Sequence, residues 1–372
     1  MEKNHVYLLL NGECCCGKTV AWSCAVGKMA EGVGNFHLDH KEGSVEERKL
    51  IKMYSDLSRG NLPGGGPVDI EFYTFQLKRR DKDICKIIGM DYPGGRMDYA
   101  DTSREEAMMY DNMLKWATVL VYAIPGEIID QCISIEDENV AEGMEKEVKR
   151  AKVAYVANTI KICLLRAQKL REDCPPVLFY ITKSDLAKCS DEEQMDALKR
   201  FIKDYCFFDF AEGKKQKVLG CHSTLGRKLK LTDNNKIISG FSPEGFEVPM
   251  LLAVGYLQSE IEKEWVEEHC RDINARLANL NLRSLMRVLF SAGLDLFGMP
   301  ANRKRYEEIR SQISELEKQR DEIIKNNPLR ISLNEILDYM KSLGKSAVFY
   351  LDEKGEEQPL EDFFAYSMNT GS

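Results

Sequence analysis

NGECCCGKT, residues 11–19, decides how the rest of the chain is read. Glycine stands at 12 and 17, lysine at 18 and threonine at 19. That satisfies G-x-x-x-x-G-K-[ST], the spacing of a loop that cradles phosphates. Glu13, Cys14, Cys15 and Cys16 fill the four free positions. In such a loop the backbone N–H groups, together with those of the following helix N-terminus, converge on an anion. Glycine permits the tight path. Lys18 is placed to reach the β- and γ-phosphates as a point charge, and Thr19 to ligate Mg2+, with Val20 continuing the helix. The confirming context is a strand before the loop and a helix after it. HVYLLLN (5–11) is a short apolar run ending in glycine, as a buried strand does, and a helix is expected from Lys18 to Ala30.

The pattern repeats outward from there. VDIEFYTFQL (68–77) and DICKIIGMD (83–91) read as neighbouring strands, with the charged residues Lys78 to Lys82 as a hairpin turn. ATVLVYAIP (117–125), PVLFYIT (176–182) and QKVLGCHS (216–223) are further buried strands. Helical patterns cover 103–115, 136–171 (opened by Ser134 with Asp137 three residues on) and 191–206, where Ser190 and Glu193 form a capping box. Alternating strands and helices predict an α/β fold in three layers, with a mostly parallel sheet and one antiparallel edge strand from the hairpin. His37-Leu38-Asp39-His40 reads as a solvated loop rather than a metal pair.

After residue 248 the character changes. One long helix is expected over VPMLLAVGYLQSEIEKEWVEEHCRDINARL, then the apolar stretch 282–299 and a charged helix. In that last helix Tyr306, Ile309, Ile313, Leu316 and Ile323 keep a heptad spacing interrupted by Arg320, which suits a short coiled-coil hairpin. The division expected is residues 1–260 as one domain and 261–372 as a helical region with a small strand-turn tail.

The chain has 372 residues, a formal net charge of −8, and 30% charged and 44% hydrophobic residues. Such a composition is that of a globular protein and gives no global electrostatic case for nucleic-acid or anionic-membrane binding. The apolar stretch 282–299 contains Arg283, Arg287 and Asp295, which argues against a membrane span. Twelve cysteines with no C-x-x-C pair argue against a zinc ribbon and for free thiols in a reducing, cytoplasmic setting. No secretory signal is read at the start, because HVYLLLNG is apolar for too few residues.

Two more motifs follow in order. IIGMDYPGG (87–95) sets Asp91 at a strand end with Gly94 three residues on, the D-x-x-G pattern. Asp91 would hold Mg2+ through water, and the Gly94 N–H would sense the γ-phosphate. FYITKSD (179–185) sets Thr182, Lys183 and Asp185 at another strand end. A carboxylate there can accept from the ring N–H and exocyclic NH2 of guanine together, a donor pair adenine lacks. The stem of Lys183 can lie along the base plane.

With these three motifs the chain from 5 to about 260 resembles a Ras-like (TRAFAC-class) P-loop GTPase. The LPGGGPVDIEFYTFQL…MDYPGG arrangement is also similar to the bacterial double-GTPase type. VLGCHSTLG (218–226) resembles a variant of the last GTPase motif, with His222 and Ser223 as the matching positions. The resemblance implies GTP or GDP as ligand with Mg2+, and a molecular switch with GTPase activity.

Two departures qualify it. No threonine lies between Thr19 and Thr74, where such proteins carry a switch threonine, and Gly95 stands where a water-positioning glutamine is common. The loop 58–67, SRGNLPGGGP, offers only Ser58 as a hydroxyl. Slow intrinsic hydrolysis is therefore expected, stimulated by a partner or by self-association, with Arg59 and Arg96 as candidates for the stabilising charge. The competing readings are a guanine-nucleotide-binding scaffold that hardly hydrolyses, and an ATP-using kinase or ATPase. The C-terminal helices are expected to carry a protein partner or self-association.

Overall fold

The computed structural model describes residues 4–39, 45–63, 69–93, 103–136, 143–171, 175–206, 217–232, 236–281, 300–325, 328–344, 347–352 and 354–364. It divides into two compact units, Met1–Leu257 with Glu335–Ala365, and Gln258–Asn334 with Tyr366–Ser372.

The first unit is built on a nine-stranded sheet in the order β11-β10-β7-β6-β5-β1-β4-β3-β2. The strands are β1 His5–Asn11, β2 Phe36–Asp39, β3 Glu71–Arg79, β4 Lys82–Asp91, β5 Val119–Pro125, β6 Val177–Thr182, β7 Val218–His222, β10 Val348–Leu351 and β11 Glu357–Gln358. A two-stranded ribbon, β8 Lys230–Leu231 with β9 Ile237–Ser239, stands apart. β4, β1, β5, β6 and β7 are mutually parallel. Apart from β4, which carries Lys82, Asp83 and Lys86, their runs are mostly apolar because both faces are covered.

The hairpin β3–β4 is antiparallel as the sequence predicts, but β3 is not the edge. β2 pairs antiparallel beyond it, so FHLD is a strand with Phe36 and Leu38 buried rather than a solvated loop. His40 lies outside the described residues. At the other end β10 pairs antiparallel with β7, and β11 with β10. Two strands, β3 and β10, therefore run against the rest, and both are interior. The tail expected beside the helical region supplies β10 to this sheet, where Phe349 and Leu351 join the main core.

Helices cover both faces. Successive β1 residues alternate, so Leu9 packs with α3 Arg104–Trp116, α4 Gly126–Glu136, α5 Met144–Leu170 and α6 Asp191–Phe201. Leu8 and Leu10 line the opposite face with Ala21, Trp22 and Ala25 of α1 Lys18–Glu31, and Pro249 and Met250 at the start of α7 Val248–His269. α2, Val45–Ser58, packs on α1, where Ser23 Oγ donates to Leu50 O at 3.0 Å.

The Ser190–Glu193 capping box opens α6 as expected, and an equivalent pair, Ser103–Glu106, opens α3. The single helix expected over 136–171 is two helices, α4 and α5. Ser134 does not open one of them. It sits within α4 and accepts from Lys149 Nζ of α5 at 3.0 Å, while Asp137 lies outside the described residues.

The second unit is helical. The helix expected to run unbroken from 248 turns at Cys270 and resumes over 271–281. A 26-residue helix follows, Pro300–Lys325, in which Ile309 and Leu316 of the heptad set are buried. The apolar stretch 282–299 lies outside the described residues. No helix among those described is long and apolar enough to cross a membrane.

Candidate functional site

The loop leaves β1 at Asn11 and enters α1 at Lys18. Gly12 has φ 148° and Gly17 has φ 92°. A Cβ at Gly12 would lie 2.9 Å from Ala123 O of β5 and 2.6 Å from Cys16 Sγ, so no side chain fits there. Cys15 is also left-handed, at φ 61°. Lys18 is buried and curls over the loop. Its ammonium donates to Gly12 O at 3.0 Å and Glu13 O at 2.8 Å, and lies 3.7 Å from Cys16 Sγ. Burial raises the Glu13 carboxyl, against the pull of Lys18.

Thr19 and Asp91 meet. Thr19 Oγ1 donates to Asp91 Oδ2 at 2.7 Å, although 72 residues separate them. Asp91 is fully buried, and Oδ1, its other oxygen, has no partner. Burial pushes this carboxyl up to about 6, with the Thr19 bond and Lys18 opposing. An unpartnered carboxylate oxygen beside a hydroxyl is a hard-oxygen donor set that fits Mg2+. Gly94, Gly95 and Arg96 lie outside the described residues.

The strand end after β6 reaches the same loop from the other side. Thr182 Oγ1 donates to Cys16 O at 2.5 Å, and Lys183 Nζ donates to Cys15 O at 2.6 Å. Lys183 itself is left-handed (φ 55°), and a Cβ at Gly17 would touch its stem at 3.6 Å. Lys183 thus bridges from the loop to Asp185, two residues on. Asp185 accepts from the Leu225 N–H at 3.1 Å, and burial raises its carboxyl.

The β7 end is drawn in alongside. Ser184 Oγ donates to Ser223 O at 2.7 Å, and the Ser223 N–H donates to Ile181 O at 2.9 Å. His222 Nδ1 is buried without a partner, and burial lowers its basicity. The structure therefore gathers Gly12 to Thr19, Asp91, Thr182, Lys183, Asp185, His222 and Ser223 at the ends of β1, β4, β6 and β7, four of five adjacent parallel strands. Val20 is the third residue of α1.

Neither Cys14 nor Cys16 is an activated thiol. Cys14 is raised, chiefly by its hydrogen bond with Cys15, and Cys16 is raised by burial. Cys14 and Cys15 are exposed, with sulfurs 3.5 Å apart. Ser58 is no free hydroxyl: its Oγ donates to Ser55 O at 2.8 Å at the end of α2.

Sequence reading missed the group beside Asp91. Glu71 stands directly opposite Asp91 across the β3–β4 ladder. It pairs with Lys49 of α2 and accepts from Tyr73 OH at 2.8 Å. Lys49 lowers the Asp91 carboxyl and Glu71 raises it. No protein-family model matches this chain, and no curated protein is similar to it.

Proposed function

We propose that the chain is a guanine-nucleotide-binding protein, a molecular switch with slow, partner-stimulated GTP hydrolysis. One observation carries this reading: the loop at 12–19 is touched from one side by Asp91, through Thr19, and from the other by Thr182 and Lys183. Residues of three motifs far apart in sequence thus meet at one loop, an arrangement that suits a triphosphate, its metal and a base.

In this reading the 12–19 amides and the α1 N-terminus hold the β-phosphate. Lys18 exchanges its bonds to Gly12 O and Glu13 O for phosphate oxygens. Thr19 and Asp91 would hold Mg2+, which supplies charge neutralisation at the phosphates. Asp185 reads the guanine edge, and Lys183 braces the base against the loop. His222 and Ser223 border the base, with the Ser223 backbone fixed by Ser184 and Ile181.

The test is competition on the purified chain. A fluorescent GTP analogue should be displaced by GTP and GDP, not by ATP, and bound tightly only with Mg2+. Equal displacement by ATP would favour a kinase or ATPase and overturn the base assignment.

A second reading, a nucleotide-binding scaffold that hardly hydrolyses, draws on Ser58, whose hydroxyl is engaged by its own helix, and on Gly95. Single-turnover phosphate release separates the two. A switch releases phosphate faster than a Lys18→Ala control, whereas a scaffold does not.

A further inference from the structure

α5 is the longest described helix of the first unit, and only one side of it is covered. Val153, Val156, Ala157, Ile160, Cys163, Leu164 and Ala167 are buried on the sheet side. On the opposite side Met144, Val148, Tyr155, Ile162 and Leu165 are between 46% and 86% exposed. Ala151 and Asn158 are exposed as well. These seven positions are separated by 4, 3, 4, 3, 4 and 3 residues, an unbroken a/d heptad stripe. Met108, Met109 and Trp116 of α3, which α5 grips through Arg166–Asp111, are exposed too. Solvent-facing apolar side chains scattered singly need no explanation, but a row about 32 Å long interrupted only by Asn158 does.

We infer that this stripe is a docking surface for a second copy of the same chain, with the two α5 helices antiparallel. The charges beside the stripe argue for a self-complementary face. In heptad terms the flanking e positions are Glu145, Lys152, Thr159 and Arg166, and the g positions are Glu147, Ala154, Lys161 and Gln168. An antiparallel register that sets Val148 against the partner's Leu165 also sets Ala151 against the partner's Ile162 and Asn158 against the partner's Tyr155. Small then meets large, and amide meets phenol.

The same register places Glu145, which pairs with Lys149 in its own helix, beside the partner's Arg166, which also holds Asp111 of its own chain, and places Lys152 beside the partner's Thr159, so no like charges meet. A parallel pairing would offset the attraction of Glu147 for the partner's Lys152 by placing Lys161 beside the partner's Arg166. Each contact in the antiparallel pair occurs twice by two-fold symmetry, the commonest arrangement of homo-oligomers. The surface is remote in sequence from the C-terminal helices expected to mediate association, and the inference does not depend on which nucleotide is bound.

Sedimentation of the full chain across micromolar concentrations tests it. A monomer–dimer equilibrium is expected. Tyr155→Glu with Ile162→Glu should weaken it at least about 100-fold, because buried anchors of an interface dominate its energy and each is lost twice. At concentrations where the parent is monomeric, the circular dichroism and melting temperature of that variant should match it, since both side chains face solvent in the monomer. Glu145→Lys should weaken the dimer roughly fivefold by turning two attractions into repulsions. A monomer at 100 µM (about a hundred times the lowest concentration tested), or a dimer that survives the double glutamate substitution, overturns the proposal. A dimer indifferent to Glu145→Lys overturns the antiparallel arrangement.

Discussion

The two ends of the candidate site, the loop proposed to hold phosphates and the Asp185 end proposed to hold a base, are built on different principles. At the phosphate end many contacts converge on main chain: Lys18 on Gly12 O and Glu13 O, Thr182 on Cys16 O, Lys183 on Cys15 O. The side chains at 14 and 15 are almost incidental, and two exposed cysteines fill them, while Cys16 is enclosed. At the base end one carboxylate, Asp185, is held by one amide at 3.1 Å. On the proposed reading, affinity would be spread over the first end and selectivity concentrated in a single group at the second. Substitutions can break that contrast.

The largest effect is expected at the base end. Asp185→Asn exchanges a double acceptor for a group with one acceptor and one donor, which matches xanthine better than guanine. Sites built to hydrogen-bond a substrate discriminate by about 10⁴, so the GTP-to-XTP affinity ratio should fall by around that factor. Total affinity for the preferred nucleotide should change little. Loss of both nucleotides together would show that Asp185 holds the loop 224–226 and not a base.

Next is Lys18→Ala. The ammonium is buried among carbonyls, and a phosphate would replace them as partner. Losing a charge-assisted contact of this kind costs about 2–4 kcal/mol, or roughly 30- to 1000-fold in affinity, equally for GTP and XTP. A change in base preference instead of affinity would erase the distinction between the two ends.

Asp91 gives a smaller effect with a defined sign. Its folded-state value, about 6, lies above the ordinary carboxylate value of 3.8 because burial disfavours the charge. Between those two values the unfolded chain binds fewer protons than the folded one. The stability this group contributes is therefore present below about pH 4 and lost as pH rises to 6, about 3 kcal/mol in all. Asp91→Asn should raise the melting temperature of the nucleotide-free protein at pH 7.5 while removing the Mg2+ dependence of nucleotide binding. A lower melting temperature would mean that the carboxylate is held by contacts beyond Thr19.

Much of this cleft was legible in the sequence. β1, β5, β6 and β7 are short apolar runs because both their faces are buried, and each ends where a motif begins. The rest was hidden for identifiable reasons. β2 is four residues long, with two of its side chains turned outward, so FHLD gives little signal. α2 buries only Glu47, Leu50 and Leu57. β10 reaches β7 across more than a hundred residues, which no local pattern reports. Glu71 was concealed by one residue. The turn pairs Arg79 with Lys82, and counting back from it sets Glu71 against Met90. The irregularity at Leu77/Lys78 shifts the register by one and brings Glu71 opposite Asp91.

The smallest expected effect returns to the cysteines. A thiol at a helix N-terminus beside a lysine is ordinarily acidified. Here Cys14 shares its hydrogen bond with Cys15, and Cys16 is enclosed against Gly12, so both are raised instead. Neither is poised as a thiolate at neutral pH, and the exposed pair contributes no side chain to the contacts that brace the loop. Cys14→Ser and Cys15→Ser should each leave nucleotide affinity within about twofold, the scale of a substitution that removes no buried contact. Cys16→Leu has no room between Gly12 and Lys18 and should cost at least about tenfold by overpacking. Titration of the three variants with a fluorescent guanine nucleotide separates the cases. If Cys14→Ser weakens binding as much as Cys16→Leu, the side chains of the loop matter as much as its amides, and the phosphate end is no longer the sequence-tolerant half of the cleft.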